Sequence, residues 1–151
     1  MNYKIPMIEK LYEAYSALAD NRVRFENNLY YVDSSNYAKT YTIEKTDDTY
    51  ISNDNMSFFK MTIGYPILAI LMMEGKLNYN KDIIKYFKDI DWKKINTEYK
   101  NNYTLATEEI LNQMKSKGIN VDYIITETEK TYEEVKQIKL PYIKSKIKLV
   151  Q

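Results

Sequence analysis

Histidine and cysteine are absent from the 151 residues, and glycine and proline occur only three times each. Without imidazole and thiol the chain has no Ser-His-Asp triad, no cysteine nucleophile and no Cys/His zinc site. Gly64, Gly75 and Gly118 stand alone, so there is no phosphate-cradling loop of the G-x-G-x-x-G or G-x-x-x-x-G-K kind. Long hydrophobic runs are missing too. The longest uncharged apolar stretch, Met61–Met73, is shorter than the roughly 18–20 residues of a membrane helix. The first helical segment carries Lys4, Glu9, Lys10 and Glu13, which argues against a secretory signal. A cytoplasmic protein with no membrane contact is therefore the expectation. The lack of cysteine does not bear on that, because a disulfide-free protein persists in either redox environment.

What is present reads as one globular domain, residues 1–151, with 44% hydrophobic and 28% charged residues. The 22 basic and 21 acidic side chains nearly cancel, whereas a dedicated nucleic-acid domain carries a basic excess. The balance is uneven along the chain. Residues 101–135 hold seven acidic and three basic groups, and residues 136–151 hold five lysines and no acid. Of the cations only Arg22 and Arg24 are arginine; the abundance of Lys, Asn, Ile and Tyr around them reads as AT-rich coding.

Apolar spacing predicts a helix over 6–20, with Pro6 in its first turn and Ile8, Leu11, Tyr12, Tyr15 and Leu18 along one face. Period two follows. Asn27-Asn28 is a two-residue hairpin turn that sets Glu26 against Leu29, Phe25 against Tyr30, Arg24 against Tyr31 and Val23 against Val32. Ser34-Ser35-Asn36 turns the chain into a third strand, 38–45, and Thr46-Asp47-Asp48 into a fourth, 49–52. The remainder is helical: a short piece at 56–63, an all-round apolar helix at 66–74, a helix at 80–90, one long or two shorter helices from Trp92 to Gly118, and a last one at 121–138. Ile143, Ser145, Ile147 and Leu149 alternate with lysines, which predicts a half-buried C-terminal strand. The fold class is α+β. A small antiparallel meander of three to five strands, the C-terminal strand counting as the fifth, is packed on one face by the N-terminal helix and a C-terminal helical set.

Strand parity then places Arg22, Arg24, Glu26, Tyr31, Asp33, Thr40, Thr42 and Glu44 on the outer face. The arginines there read either as a recognition fork for carboxylate, phosphate or base, or as cross-strand ion pairs. Docked beside the first strand, the tail would add Lys144, Lys146 and Lys148 to that face. Five cations beside Tyr31 make a platform for single-stranded nucleic acid; the other reading is edge lysines that block aggregation. Asn53-Asp54-Asn55 with Ser57 is either a polar ligand site or the cap of the following helix. Asp47-Asp48, Glu108-Glu109, Glu129, Glu133 and Glu134 read as solvated carboxylates.

No motif identifies a reaction, and no cofactor or metal is expected. The leading expectation is a non-enzymatic binding protein acting on a protein partner, as an inhibitor or adaptor, with Arg22, Arg24, Tyr31, Lys144, Lys146 and Lys148 as its binding residues. Single-stranded nucleic-acid binding through a basic sheet face is the alternative. A carboxylate- and metal-dependent hydrolase is the second alternative.

Overall fold

Two asparagines set the register of the sheet. In the computed structural model, which describes residues 1–149, Asn27 and Asn28 hold φ of 53° and 65°. Positive φ at both central positions is what a two-residue hairpin of the right-handed twist requires, and asparagine tolerates it. The hairpin joins β1 (Val23–Glu26) to β2 (Leu29–Asp33) with the four pairings read from the sequence. β3 (Thr40–Thr46) and β4 (Thr49–Ser52) complete an antiparallel meander in the order β1-β2-β3-β4.

The helices cover one face. α1 (Lys10–Ala19) begins later than the periodicity suggests, because Ile8 and Glu9 form a turn ahead of it, with Lys10 N donating to Met7 O at 3.1 Å. α2 (Asn55–Lys60) ends at Met61, which has φ 52°. α3 (Tyr65–Met73) is buried from Pro66 through Met72, and it packs on β3 and β4 on one side and α1 on the other. A helix apolar on all sides has no solvent face to offer and so takes the centre. Each of its buried Ile and Leu side chains contributes about 1.5–3 kcal/mol by leaving water. The segment predicted helical at 80–90 is a 3₁₀ helix, Lys81–Phe87, packed on α1. Lys100 and Asn101, both at positive φ, break the following stretch into α4 (Trp92–Glu98) and α5 (Tyr103–Ser116), and Asn102 caps α5 through Leu105 N at 3.2 Å. α6 (Val121–Val135) closes the set. The class is α+β, with the N-terminal helix and the C-terminal helices on one side of the sheet. No helix among the described residues is long and apolar enough to cross a membrane.

The C-terminal strand does not form. Leu140–Tyr142 run beside the N-terminus instead, with Tyr3 N donating to Leu140 O and Tyr142 N to Met1 O, both at 2.9 Å. Residues 143–149 carry no strand pairing. Their burial keeps only part of the expected alternation: the lysines are exposed and Ser145 is buried, but Ile143 and Ile147, expected inward beside it, are exposed. Val150 lies outside the described residues.

Candidate functional site

One helical turn of α1 supplies the first two groups. Lys10 and Glu13 are three residues apart and pair at 2.8 Å, and both are buried. Lys10 Nζ also lies 3.6 Å from the ring centroid of Tyr103, and Glu13 accepts a long hydrogen bond from Asn96 Nδ2 of α4 at 3.5 Å. The third group arrives through a turn. Asn21 adopts φ 53°, and Arg22, whose N–H donates to Ala17 O, turns its side chain under the sheet. There Nη1 donates to Asp33 O at 2.6 Å, Nε reaches Asp20 Oδ2 at 3.4 Å, and the guanidinium stands 5.9 Å from the Tyr65 ring. Arg22 is among the most completely buried side chains of the protein.

The fourth group is Asp54, where β4 hands over to α2. Its Oδ2 accepts from Ser57 N at 3.2 Å as the helix cap, and its Oδ1 accepts from Ser52 Oγ. The cap reading of Asn53–Ser57 is therefore fulfilled, but the same carboxyl also faces inward. It packs so tightly on Gly64 that a β-carbon there would lie 2.1 Å from Oδ2. Burial pushes Asp54 up from its ordinary value, against the opposing pull of Ser52, Ser57 and Lys10.

Lys10, Glu13, Arg22 and Asp54 line one cavity of about 200 Å³. Tyr41, Tyr65, Trp92 and Tyr103 supply aromatic wall, the Ser34–Lys39 loop forms one lip and Lys93 another part of the rim. Tyr41 and Tyr65 meet edge to face at 6.3 Å. Burial, aided by Asp54 and Glu13, pushes the Tyr41 phenol up to about 12, and burial raises that of Tyr65 as well. Both therefore remain neutral hydroxyls, able to donate and accept. The cavity thus presents cationic, carboxyl and phenolic groups on an aromatic frame.

The residues singled out from the sequence do not form a single face. Strand parity fails at Arg22, which precedes β1 and is buried under the sheet, while Arg24 stays outside with its side chain 43% exposed. Arg24 pairs with Asp33 at 3.0 Å and Glu26 at 3.8 Å and lies 5.6 Å from the Tyr31 ring, so cross-strand pairing is what its exposed neighbours provide. The tail lies on the other side of the molecule. Lys144 sits 4.8 Å from the ring of Phe58 in α2, which packs on β4, the strand at the far edge from β1. Lys146 and Lys148 are exposed there as well. The five-cation platform is not assembled. Among the described residues, no three acidic side chains are grouped so that they could hold a metal ion.

Sequence reasoning missed Lys10, Glu13, Tyr41 and Tyr65 as site residues. The signal was faint: two opposite charges at i and i+3 in a helix with apolar residues on every side.

Among curated proteins and among solved structures, no match is found. The model of one protein family, described as uncharacterised conserved protein UCP014422, matches residues 3–141, a span that holds every residue lining the cavity and stops short of Lys144. The chain belongs to that family.

Proposed function

We propose that this is a binding protein whose ligand is a small polar molecule held in the cavity between α1, the Ser34–Lys39 loop and α4. The observation that carries the reading is the convergence of four ionisable side chains, Lys10, Glu13, Arg22 and Asp54, each at most 7% exposed, on one open cavity. Withdrawing a charge from water costs several kcal/mol, and well-packed apolar residues of the same volume commonly stabilise a fold as well or better. A cluster of such groups around a cavity is the usual price of recognition. The cavity lies below the roughly 300–1,000 Å³ of drug-sized sites, which favours a ligand of metabolite size.

Binding is favoured over chemistry by the state of the groups. Lys10 is held by Glu13 and Arg22 by Asp20 and the Asp33 carbonyl, while the phenols are pushed away from titration near neutral pH. The test is a thermal-shift screen with small carboxylates, phosphates, amino acids and nucleosides, followed by calorimetry on any hit. At least one class raises the melting temperature of the native chain and has no effect on Tyr41→Phe combined with Glu13→Gln. A panel that leaves the native melting temperature unmoved sinks the reading.

A second reading, a protein partner on the outer sheet face, is supported by exposed Arg24 lying over the half-buried Tyr31 ring. Arg and Tyr are the residue types that dominate protein interfaces. A pull-down that retains every partner after both are replaced by alanine ends it.

A further inference from the structure

β1 is an outer strand, and its residues Arg24, Phe25 and Glu26 are exposed. Its backbone phase is fixed from two directions. Asp33 N donates to Arg22 O at 3.0 Å, which makes that pair a hydrogen-bonded one. Bonded and non-bonded pairs alternate along an antiparallel ladder, so Arg24–Tyr31 and Glu26–Leu29 are bonded too. The two-residue turn at Asn27-Asn28 demands the same phase. Val23 and Phe25 therefore point their N–H and C=O groups away from β2, along the open edge.

The side chains there are equally unsettled. Strand parity sets Phe25 on the same face as the buried Val32 and Ile43, yet Phe25 is 58% exposed. Met73 is half exposed, and it lines with Val23, Tyr79 and Ile84 an apolar groove of about 320 Å³ beneath the strand. Around Phe25 the charges are self-complementary, with Arg24 before it and Glu26 after it on the opposite face of the strand.

We propose that two copies of this chain pair antiparallel through β1 about a two-fold axis at Phe25, joining their sheets into one of eight strands. The proposal is independent of the cavity. In this register Phe25 faces Phe25 of the second copy as a hydrogen-bonded pair, using the backbone groups left free. Arg24 then faces Glu26 of the second copy, and Glu26 faces its Arg24, in the non-bonded positions where side chains approach most closely. Axes at Arg24 and at Glu26 also keep the bonding phase, but they set Arg24 against Arg24 or Glu26 against Glu26 in a non-bonded position and are repulsive. An axis at Val23 sets Arg24 opposite Arg22, whose side chain is turned under the sheet, and leaves Arg24 with no carboxylate to face. The interface is isologous, as two-fold symmetry requires.

Sedimentation equilibrium of the full chain over a range of concentrations tests this. A reversible monomer–dimer equilibrium is expected. R24E and E26R each place like charges opposite one another twice, and each weakens association about tenfold or more. The double variant R24E/E26R restores it, which also shows that the single variants did not act through misfolding. Hydrogen exchange adds the phase: the Val23 and Phe25 amides gain protection as concentration rises, and those of Arg24 and Glu26 do not change. A chain that is monomeric up to about 1 mM, a dimer indifferent to both single variants, or a double variant that stays weak overturns the proposal.

Discussion

Gly64 shows how little room the cavity floor leaves. Its backbone is extended, so the constraint is space: a methyl group would drive into the Asp54 carboxylate, which cannot retreat without abandoning Ser52 Oγ and Ser57 N. Gly64→Ala is expected to cost about 1–3 kcal/mol, the range for overpacking, measured by urea unfolding. Asp54 itself makes stability depend on pH. Its folded-state pKa lies above the ordinary carboxylate value, so the native state holds the proton more tightly than the unfolded chain. The contribution is full below the unfolded value and is lost as pH rises through the folded one. Asp54→Asn keeps an acceptor for Ser57 N and should remove that decline, which unfolding curves at a series of pH values will reveal.

Between elements, the opposite sign appears at Glu74, beyond the end of α3. Its carboxylate accepts from Tyr30 of β2 at 3.0 Å, Lys45 of β3 at 2.7 Å and Tyr50 of β4 at 2.5 Å, so one side chain ties the central helix to three strands. Burial alone would push its pKa up, but Lys45, Tyr50 and Tyr30 together hold it below the usual range. Its contribution is present above the unfolded value and lost as pH falls through the folded one. Glu74→Gln is expected to cost about 1.5–3 kcal/mol near neutral pH, the range for hydrogen bonds to a charged group, and to flatten the acid limb of the stability curve. Elements of this kind were partly legible in advance. Asn27-Asn28 fixed the hairpin register, and the all-round apolar stretch marked the central helix, because both are local properties. Arg22 was misplaced because alternation holds only inside a strand, and one residue at positive φ ahead of β1 rotates the chain out of phase. Lys10 and Glu13 were not singled out because what buries them, Tyr103 and Asn96, comes from 93 and 83 residues further along the chain. The tail alternated convincingly, but Leu140 and Tyr142 pair with the N-terminal residues and Lys144 lies at Phe58 of α2, on the β4 side and away from the open edge of β1.

The molecule as a whole is closed by that engagement. Tyr3 is buried and donates to Tyr50 O at 2.6 Å, Lys4 N donates to Met61 O at 2.8 Å, and Tyr132 of α6 donates to Pro6 O at 2.8 Å. The N-terminal residues thus tie β4, α2, α6 and the segment near Leu140 together. Ending the chain after Tyr142 removes a segment whose described side chains, 143–149, are mostly exposed, and should change stability by no more than about 1 kcal/mol. Ending it after Lys139 also removes buried Leu140 and the strand-like contact on Tyr3, and should cost about 2–5 kcal/mol in the same urea assay.

Trp92 is the sole tryptophan; it lies in the cavity wall with its indole N–H donating to Ser16 Oγ at 2.7 Å, 3% exposed. The one indole of the chain, which red-edge excitation selects from the sixteen tyrosines, thereby stands in the place where a guest would sit. Its fluorescence should be that of an indole shielded from water, and a bound molecule should change its intensity or colour without any label. β1, at the sheet edge, contributes no residue to that wall, so optical titration and sedimentation would report on two separate events in the same solution.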